Sequence, residues 1–594
     1  MKYKKLVSAV ALGAAVTIGL AACGGGKKDD GKKSGGTTKQ EDVSKFPVKT
    51  SNEEKPKDGG TLEVAVAMDT QFAGLFQKEF YENNYDAQFM LPSHESLFVS
   101  DSNFETTDES VVKKDIDIEN KKIKLTINKE NVKWSDGQPL IAEDLIQPYL
   151  IISHPDYAGV RYGEDFTNIV GVEEYHAGTA KDISGIKKID DKSIEITYKK
   201  MDPGMKQNSE TVWQSALPSH IFKDMPVKGM ESSDAVRKNP VTFGPYKMSK
   251  INQGESVEYT PNEYYYGEKP HLDKIIMRVA PTNSITEAMK AKKYDMVLSM
   301  PTDNYPSYKD IEGYEILGRP DLAYTYIGFK LGKWDDKEKK VVYNPEAKMA
   351  NKSLRQAMAL SVNNEAIGEK FYHGLRQPAN ALVPPIFAEF SNKDLPGYAK
   401  QDIEKANKLL DEAGYKKKDG EEFRRDPKGE KLEIKFASMS GGETAQPIAE
   451  YYIDCWKEIG LDVKLSTGRL IEFNSFYDKL KNDDPEIDVY QAAWGLSEDP
   501  SQSGLYAATA PFNYTRFESE KNTELMNNID SEKSFDTEYR AKAFKEWQEY
   551  ASDEAFVFPT LFRDQVLPIS KDVTNFTWAY DAQSNPWASV GKTK

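Results

Sequence analysis

The sequence predicts an α/β chain of several domains, and three observations carry that reading. In the C-terminal half, apolar alternating runs are separated by single amphipathic helices, the pattern of βαβ units with parallel pairing. The chain has 594 residues, 39% of them hydrophobic, which is too long for one core and rich enough for several. Breaker-rich stretches at Asn239-Pro240 and Phe243-Gly244-Pro245-Tyr246, and a β-prone run at Tyr324-Thr325-Tyr326-Ile327-Gly328-Phe329, mark crossings between domains.

The chain begins with Lys2, Lys4 and Lys5 ahead of an apolar run from Leu6 to Ala22. These are the charged and apolar regions of a secretory signal. The run, about 17 residues, is at the lower limit for a membrane span, and its end is more telling. Leu20-Ala21-Ala22-Cys23 resembles the bacterial lipobox. That resemblance implies that 1–22 is a signal peptide and that Cys23 is acylated as the first residue of the mature chain. It places the protein at the cell membrane, lipid-anchored on the extracellular face, with roughly 0.8 kcal/mol of anchoring per buried CH₂. Residues 23–58 read as a lipidated N-terminus and flexible linker. Gly24-Gly25-Gly26 and Ser34-Gly35-Gly36-Thr37-Thr38 offer too little apolar surface to fold.

Order is expected from Gly59-Gly60. Thr61–Ala67 alternates and reads as a strand. A hairpin follows, with arms at 115–118 and 122–128. Val132-Lys133-Trp134-Ser135-Asp136-Gly137 has Asp-Gly turn chemistry. Ala142 to Ile152 fits a helix that Pro148 should kink. Strands are expected at 193–198, 256–259 and 274–279, and a helix at 285–292. Further on, helices are expected at 354–360, 402–413, 444–459, 524–529 and 538–551. Strands fall at 432–437, 461–465 and 488–494, and the last helix leads into Val557-Phe558-Pro559.

Composition narrows the function. The formal charge of −16 disfavours nucleic-acid binding, which needs a basic surface. With Cys23 assigned to the anchor, Cys455 is unpaired, so the fold relies on apolar burial. Cys455 sits among Ile453, Trp456 and Ile459 and reads as a buried, inert thiol. Six histidines show no metal-ligand spacing, so neither a metal nor a cofactor is expected. The serine-hydrolase elbow is absent. Ser184-Gly185-Ile186-Lys187 has the S-x-x-K spacing of penicillin-binding enzymes without their partner motifs. Gly591-Lys592-Thr593 lacks the upstream glycine of a phosphate loop. Catalysis is therefore not expected.

Several stretches together resemble the oligopeptide-binding lipoproteins of ABC importers, in the family of peptide and nickel solute-binding proteins. They are Lys133-Trp134-Ser135-Asp136-Gly137 with Ala142-Glu143-Asp144, and Asn239-Pro240 with Thr242 to Lys247. Pro261 to Gly267, Leu354 to Met358, Ala406 to Gly414, and Trp456 to Gly460 continue the series in order and spacing. Pro384-Pro385-Ile386-Phe387 is similar to the Gram-positive members. The resemblance implies a periplasmic-binding-protein-like fold, two lobes with a hinge plus an inserted domain. Domain I would comprise 59–98, 240–323 and 558–594, domain II 99–239, and domain III 324–557. An extended peptide would lie between domains I and III, its backbone paired with strand edges and its side chains in hydrated pockets.

The resemblance also implies partners and site residues. Oligopeptides are the ligands, permease subunits of an ABC transporter the partners, and the protein acts as a monomer. The cleft strand would be Ala492-Ala493-Trp494-Gly495, followed by Leu496-Ser497-Glu498-Asp499-Pro500. Relatives that fix the peptide's amino group use an acid where Ser497 aligns. Here Asp499 or Glu498 would serve, or the end would be left unfixed, allowing longer peptides. Trp494 and Phe473 align with cleft aromatics. Tyr157, Arg161 and Tyr162 lie near an aromatic wall from domain II. Rival readings are a receptor for one signalling peptide and, from another class, a surface lipoprotein hydrolase.

Overall fold

The computed structural model describes residues 43–209 and 211–594. The predicted signal peptide, Cys23 and the chain to residue 42 lie outside the described residues. An 11-stranded mixed sheet organises the rest. Its path runs through strands Asp462–Leu465, Glu433–Ala437, Val489–Gly495, Tyr314–Phe329, Val557–Ser570, Met296–Leu298, Thr61–Ala67, Lys274–Ala280, Ser256–Pro261 and Tyr246–Asn252. The short strand Arg376–Pro378 branches off against Val557–Ser570. Pairing is parallel where the βα pattern predicted it, at 433–437 with 462–465 and with 489–495, and also at 61–67 with 274–280.

The two longest strands, Tyr314–Phe329 and Val557–Ser570, pair antiparallel and belong to both ends of the sheet. Their register shifts between Pro320 and Tyr324 and again between Thr325 and Tyr326. Pro320 has no N–H to give the ladder, and Pro559 lies opposite Tyr326 beside the second shift, positions where a missing donor is tolerated. Sequence reading gave a strand only from Tyr324, because Gly318, Pro320 and Asp321 all disfavour one; long-range pairing overrides that preference.

Three groups of buried side chains flank this spine. On one end, Val64 and Val66 face Met277, Met296 and Leu567, while Ala65 and Ala67 face Ile285, Met289 and Tyr308. Both faces of that strand are covered, which explains its run of apolar residues. On the other end, Tyr326, Ile327 and Phe329 join Met358, Trp456, Tyr490 and Trp547. A separate four-stranded antiparallel sheet, ordered Val112–Asp117, Lys122–Ile127, Ser193–Thr197 and Ile186–Lys188, forms the third group with helix Ala142–Ile152. There the buried Asp144 accepts from Trp134 Nε1 at 2.8 Å, Ile141 N at 3.0 Å and Ser219 N at 2.8 Å. The Trp134 and Asp144 motif is thus a buried helix start.

One expectation is corrected. Residues 43–58, read as the end of a flexible linker, are bonded to the body. Val43–Lys45 is a short 3₁₀ turn, Thr50 N donates to Phe576 O at 2.9 Å, and Lys57 N donates to Lys592 O at 2.9 Å. Val43 is buried and Phe46 stacks with Tyr305 at 6.0 Å, so apolar residues just before the predicted boundary hold the segment down. At the Phe243-Gly244 crossing, a Cβ on Gly244 would lie 2.4 Å from Ser93 O, so only glycine passes there.

Arg355, 1% exposed, joins two helices of the 324–557 segment. It donates to the carbonyls of Met349, Ala350, Glu554 and Ala555, the last two at the end of helix Thr537–Glu554. A cation there also complements the helix dipole. Replacing Arg355→Met leaves those acceptors unpaired and should cost about 3 kcal/mol or more, read from denaturant unfolding. A loss below about 0.5 kcal/mol would contradict this account of the helix junction.

Candidate functional site

The site grows from strand Val489–Gly495. One of its edges pairs along its whole length with the spine, from Ala323 opposite Gly495 to Phe329 opposite Val489. On its other edge, Glu433–Ala437 reaches only Val489 and Tyr490. Among the described residues no strand pairs with that edge from Gln491 to Gly495. Alternation puts Tyr490, Ala492 and Trp494 on one face and Gln491 and Ala493 on the other. Trp494 is stacked on Tyr326 at 6.0 Å and on Tyr514 at 5.7 Å, with Phe512 edge-on at 5.9 Å. The tryptophan is thereby fixed, half-buried, at the free edge.

A cavity of about 290 Å³ lies beside this edge. Gln491, Ala493, Thr325 and Arg376 line it from one lobe and Pro301 to Asp303 from the other. The lobes meet around it. Thr444 Oγ1 donates to Asp303 Oδ2 at 3.0 Å, and His373 Nε2 lies 2.9 Å from Asp303 O. A second cavity, about 240 Å³ and polar, lies where Pro203 and Gln207 face Phe390 and Arg540. Polar contacts thus bridge the two sides of the cavity.

Glu498 and Asp499 follow the strand, and neither carboxylate is unengaged. Arg540 donates to Asp499 Oδ1 at 2.8 Å and to Gln207 Oε1 at 3.2 Å, so this group ties 499 to the inserted segment. Asp202 and Asp530 lie close by. Burial, then repulsion from each other and from Asp499, raises Asp202 well above the carboxylate range; burial and Asp499 raise Asp530 to about 6. Glu498 accepts from the Ser100 hydroxyl across the lobes. Burial pushes Glu498 up to about 7, against the pull of Ser100, Lys114, Lys78 and Arg319. Lys114, donating to Met205 O at 2.8 Å and Gln207 O at 2.7 Å, is itself pushed down to about 7 by burial. A carboxylate with three cations around it is poorly suited to hold a further ammonium group.

Of the remaining sequence-predicted residues, Tyr157, Arg161 and Tyr162 make their contacts away from Trp494, whereas Gly495 follows it directly and Phe473 reaches its cluster through Tyr477, which packs on Tyr514 at 6.0 Å. Tyr157 donates its hydroxyl to Glu79 O and packs on Phe80 at 6.0 Å. Arg161 lies over the Tyr81 ring at 4.4 Å, and Tyr162 stacks on His176 at 3.9 Å. Phe473, 54% exposed, starts helix Phe473–Lys481 and meets Tyr477 at 5.0 Å. Gly495 is exposed with nothing where a Cβ would lie. The sequence reading missed Gln491, Arg376, Asp303 and Arg563. Gln491 was findable, two residues from Ala493 on the same face. The others come together only through tertiary pairing.

The family described as bacterial extracellular solute-binding proteins, family 5 Middle, matches residues 109–516. The chain belongs to that family. It is 34% identical over 599 residues to the oligopeptide-binding protein OppA of Lactococcus lactis subsp. lactis (strain IL1403), covering 100% of this chain and 98% of the relative. It is 24% identical over 515 residues to the oligopeptide-binding protein AppA of Bacillus subtilis, covering 85% and 86%. Among solved structures, lactococcal OppA complexed with an endogenous peptide in the closed conformation superposes with a TM-score of 0.83 at 35% identity. The match covers 90% of this chain and all of that one. The fold is therefore periplasmic-binding-protein-like, with two lobes, a hinge and an extra inserted domain.

Glu498 carries a pH prediction. Its carboxyl titrates near 7 when folded and near 4.5 otherwise, so folding takes up a proton between those values. Its contribution is complete below pH 4.5 and is lost as pH rises through 7. Thermal unfolding of Glu498→Gln should therefore vary less with pH across this window than the wild type. Identical pH dependence in the two proteins would contradict the placement of Glu498 among buried groups.

Proposed function

We propose that the protein is a substrate-binding protein that captures oligopeptides between its lobes and delivers them to the permease of an ABC transporter. The observation that carries this reading is the unpaired strand edge from Gln491 to Gly495 beside the interlobe cavity. An extended peptide can add to such an edge through its backbone, which gives affinity without reading sequence. The full-length similarity to lactococcal OppA, named an oligopeptide-binding protein, supports the same ligand class. Trp494, Ala493 and Gly495 are the peptide contacts in this reading, with Phe473, Tyr157, Arg161 and Tyr162 as outlying candidates. Asp499 and Glu498, engaged by Arg540 and Ser100, hold the lobes together and leave the peptide's amino end unfixed.

The finer parts rest on the sequence. The moving units are domain I (59–98, 240–323 and 558–594), domain II (99–239) and domain III (324–557). Membrane tethering on the extracellular face is assigned to the acylated Cys23, and the protein works as a monomer without catalysing a reaction. Among the described residues no helix is long and apolar enough to cross a membrane.

Native mass spectrometry of the purified protein tests the proposal. The expected result is a ladder of adducts that dissociate as peptides of varied sequence, weakened about tenfold or more in affinity by Trp494→Ala. A ligand-free mass that persists after addition of a peptide library would overturn it.

A further inference from the structure

Arg376 occupies an unusual position in the interlobe cavity. It belongs to the three-residue strand Arg376–Pro378 and lines the cavity. Its Nε is buried without a hydrogen-bond partner, and among the described residues its guanidinium forms no ion pair. What holds it is the Tyr372 ring, 3.8 Å beneath the guanidinium. Burial lowers its pKa and Arg563 adds repulsion, while Tyr372, Asp303 and Asp321 act the other way. Arg563 also lines the cavity, with Nε 3.3 Å from Asp321 Oδ2. Asp303, the carboxylate of the lining, already accepts from Thr444. The lining therefore carries two guanidinium groups against one engaged carboxylate. Gln491 accepts from Ser438 at 3.0 Å with its oxygen, which leaves its amide N–H groups for a ligand.

We infer that this cavity is a specificity pocket for an acidic side chain, Asp or Glu, of the bound peptide, with Arg376 as the residue that reads its carboxylate. This rests on the peptide-capture reading above. A half-buried guanidinium with its Nε unpartnered and no anion beside it is costly, and a carboxylate entering opposite it forms charge-assisted, forked hydrogen bonds. The stacked ring presets the fork, so little order is lost on binding. The volume suits a side chain. About 290 Å³ holds a side chain and several waters, since a water takes about 30 Å³. Two arginines in the same lining disfavour a lysine or arginine there.

The test is titration calorimetry of the purified protein with C-terminally amidated octapeptides in which one Glu is scanned through an alanine-rich background, each paired with its Gln counterpart. At one or two positions the Glu peptide should bind about tenfold tighter. Arg376→Met should bring that ratio close to one, and Arg376→Lys, which keeps the charge and loses the fork, should retain part of it. Equal binding of every Glu and Gln pair to the wild type would overturn the pocket while leaving peptide capture intact. A preference that appears only when the C-terminus is a free carboxylate would overturn the side-chain assignment. Failure of every peptide to bind would instead count against the capture reading itself.

Discussion

The pairing of Tyr314–Phe329 with Val557–Ser570 is the interaction on which the rest of the structure depends. Its hydrogen-bonded ladder runs from the 61–67 end of the sheet to the 489–495 end. Below Pro320 the pair joins strand Met296–Leu298 and the 61–67 core; above Tyr324 it joins Val489–Gly495. The two register shifts lie between those halves. A regular ladder resists bending, whereas an interrupted one bends where its bonds are missing. The two shifts are therefore a local defect in an otherwise continuous sheet, with a proline at each. Thr325 and Thr560 link hydroxyls at 2.7 Å within it, which keeps the strands paired while the register changes.

Closure makes different demands from folding. Each lobe is held by its own apolar core, yet the contacts joining the lobes around the cleft are mostly polar. They include Thr444 and His373 on Asp303, Ser100 on Glu498, and Arg540 on Gln207. Such bonds exchange readily for water, each with a small net free energy, so lobes held this way can separate. Apolar burial between the lobes would hold them shut, which a carrier that must release its cargo cannot use. Phe104, packed on Phe387 at 5.3 Å and Tyr580 at 5.7 Å, and Phe535, packed against the core of the four-stranded sheet, are apolar contacts across the segments.

Much of the fold was legible because local pattern and tertiary structure agree. Thr61–Ala67, Lys122–Ile127, Ala142–Ile152 and Val489–Gly495 fall within a residue or two of their periodic runs. Cys455 was readable as inert from its apolar helix neighbours, and its thiol is pushed up to about 11 by burial. The Tyr314–Phe329 strand was legible only from Tyr324, since Gly318 and Pro320 disfavour a strand and their place in one comes from distant partners. The candidate site divides the same way. Trp494 and Ala493 lie on a strand whose alternation is visible, and the resemblance drew attention to them. Asp499 and Glu498 looked unengaged because Arg540 and Ser100 are far away in sequence. Arg376 gave no signal at all, as a three-residue strand exists only through its pairing with Leu561–Arg563.

In the proposed reading, peptide capture and bending of the interrupted ladder are one event. Electron–electron spin distances test it most directly, with labels on Lys290→Cys and Glu450→Cys, exposed positions on either side of the spine. Without peptide the distances should spread to longer values than this structure allows. With a saturating peptide they should collapse to one shorter population. A single distance that peptide does not change would contradict the account.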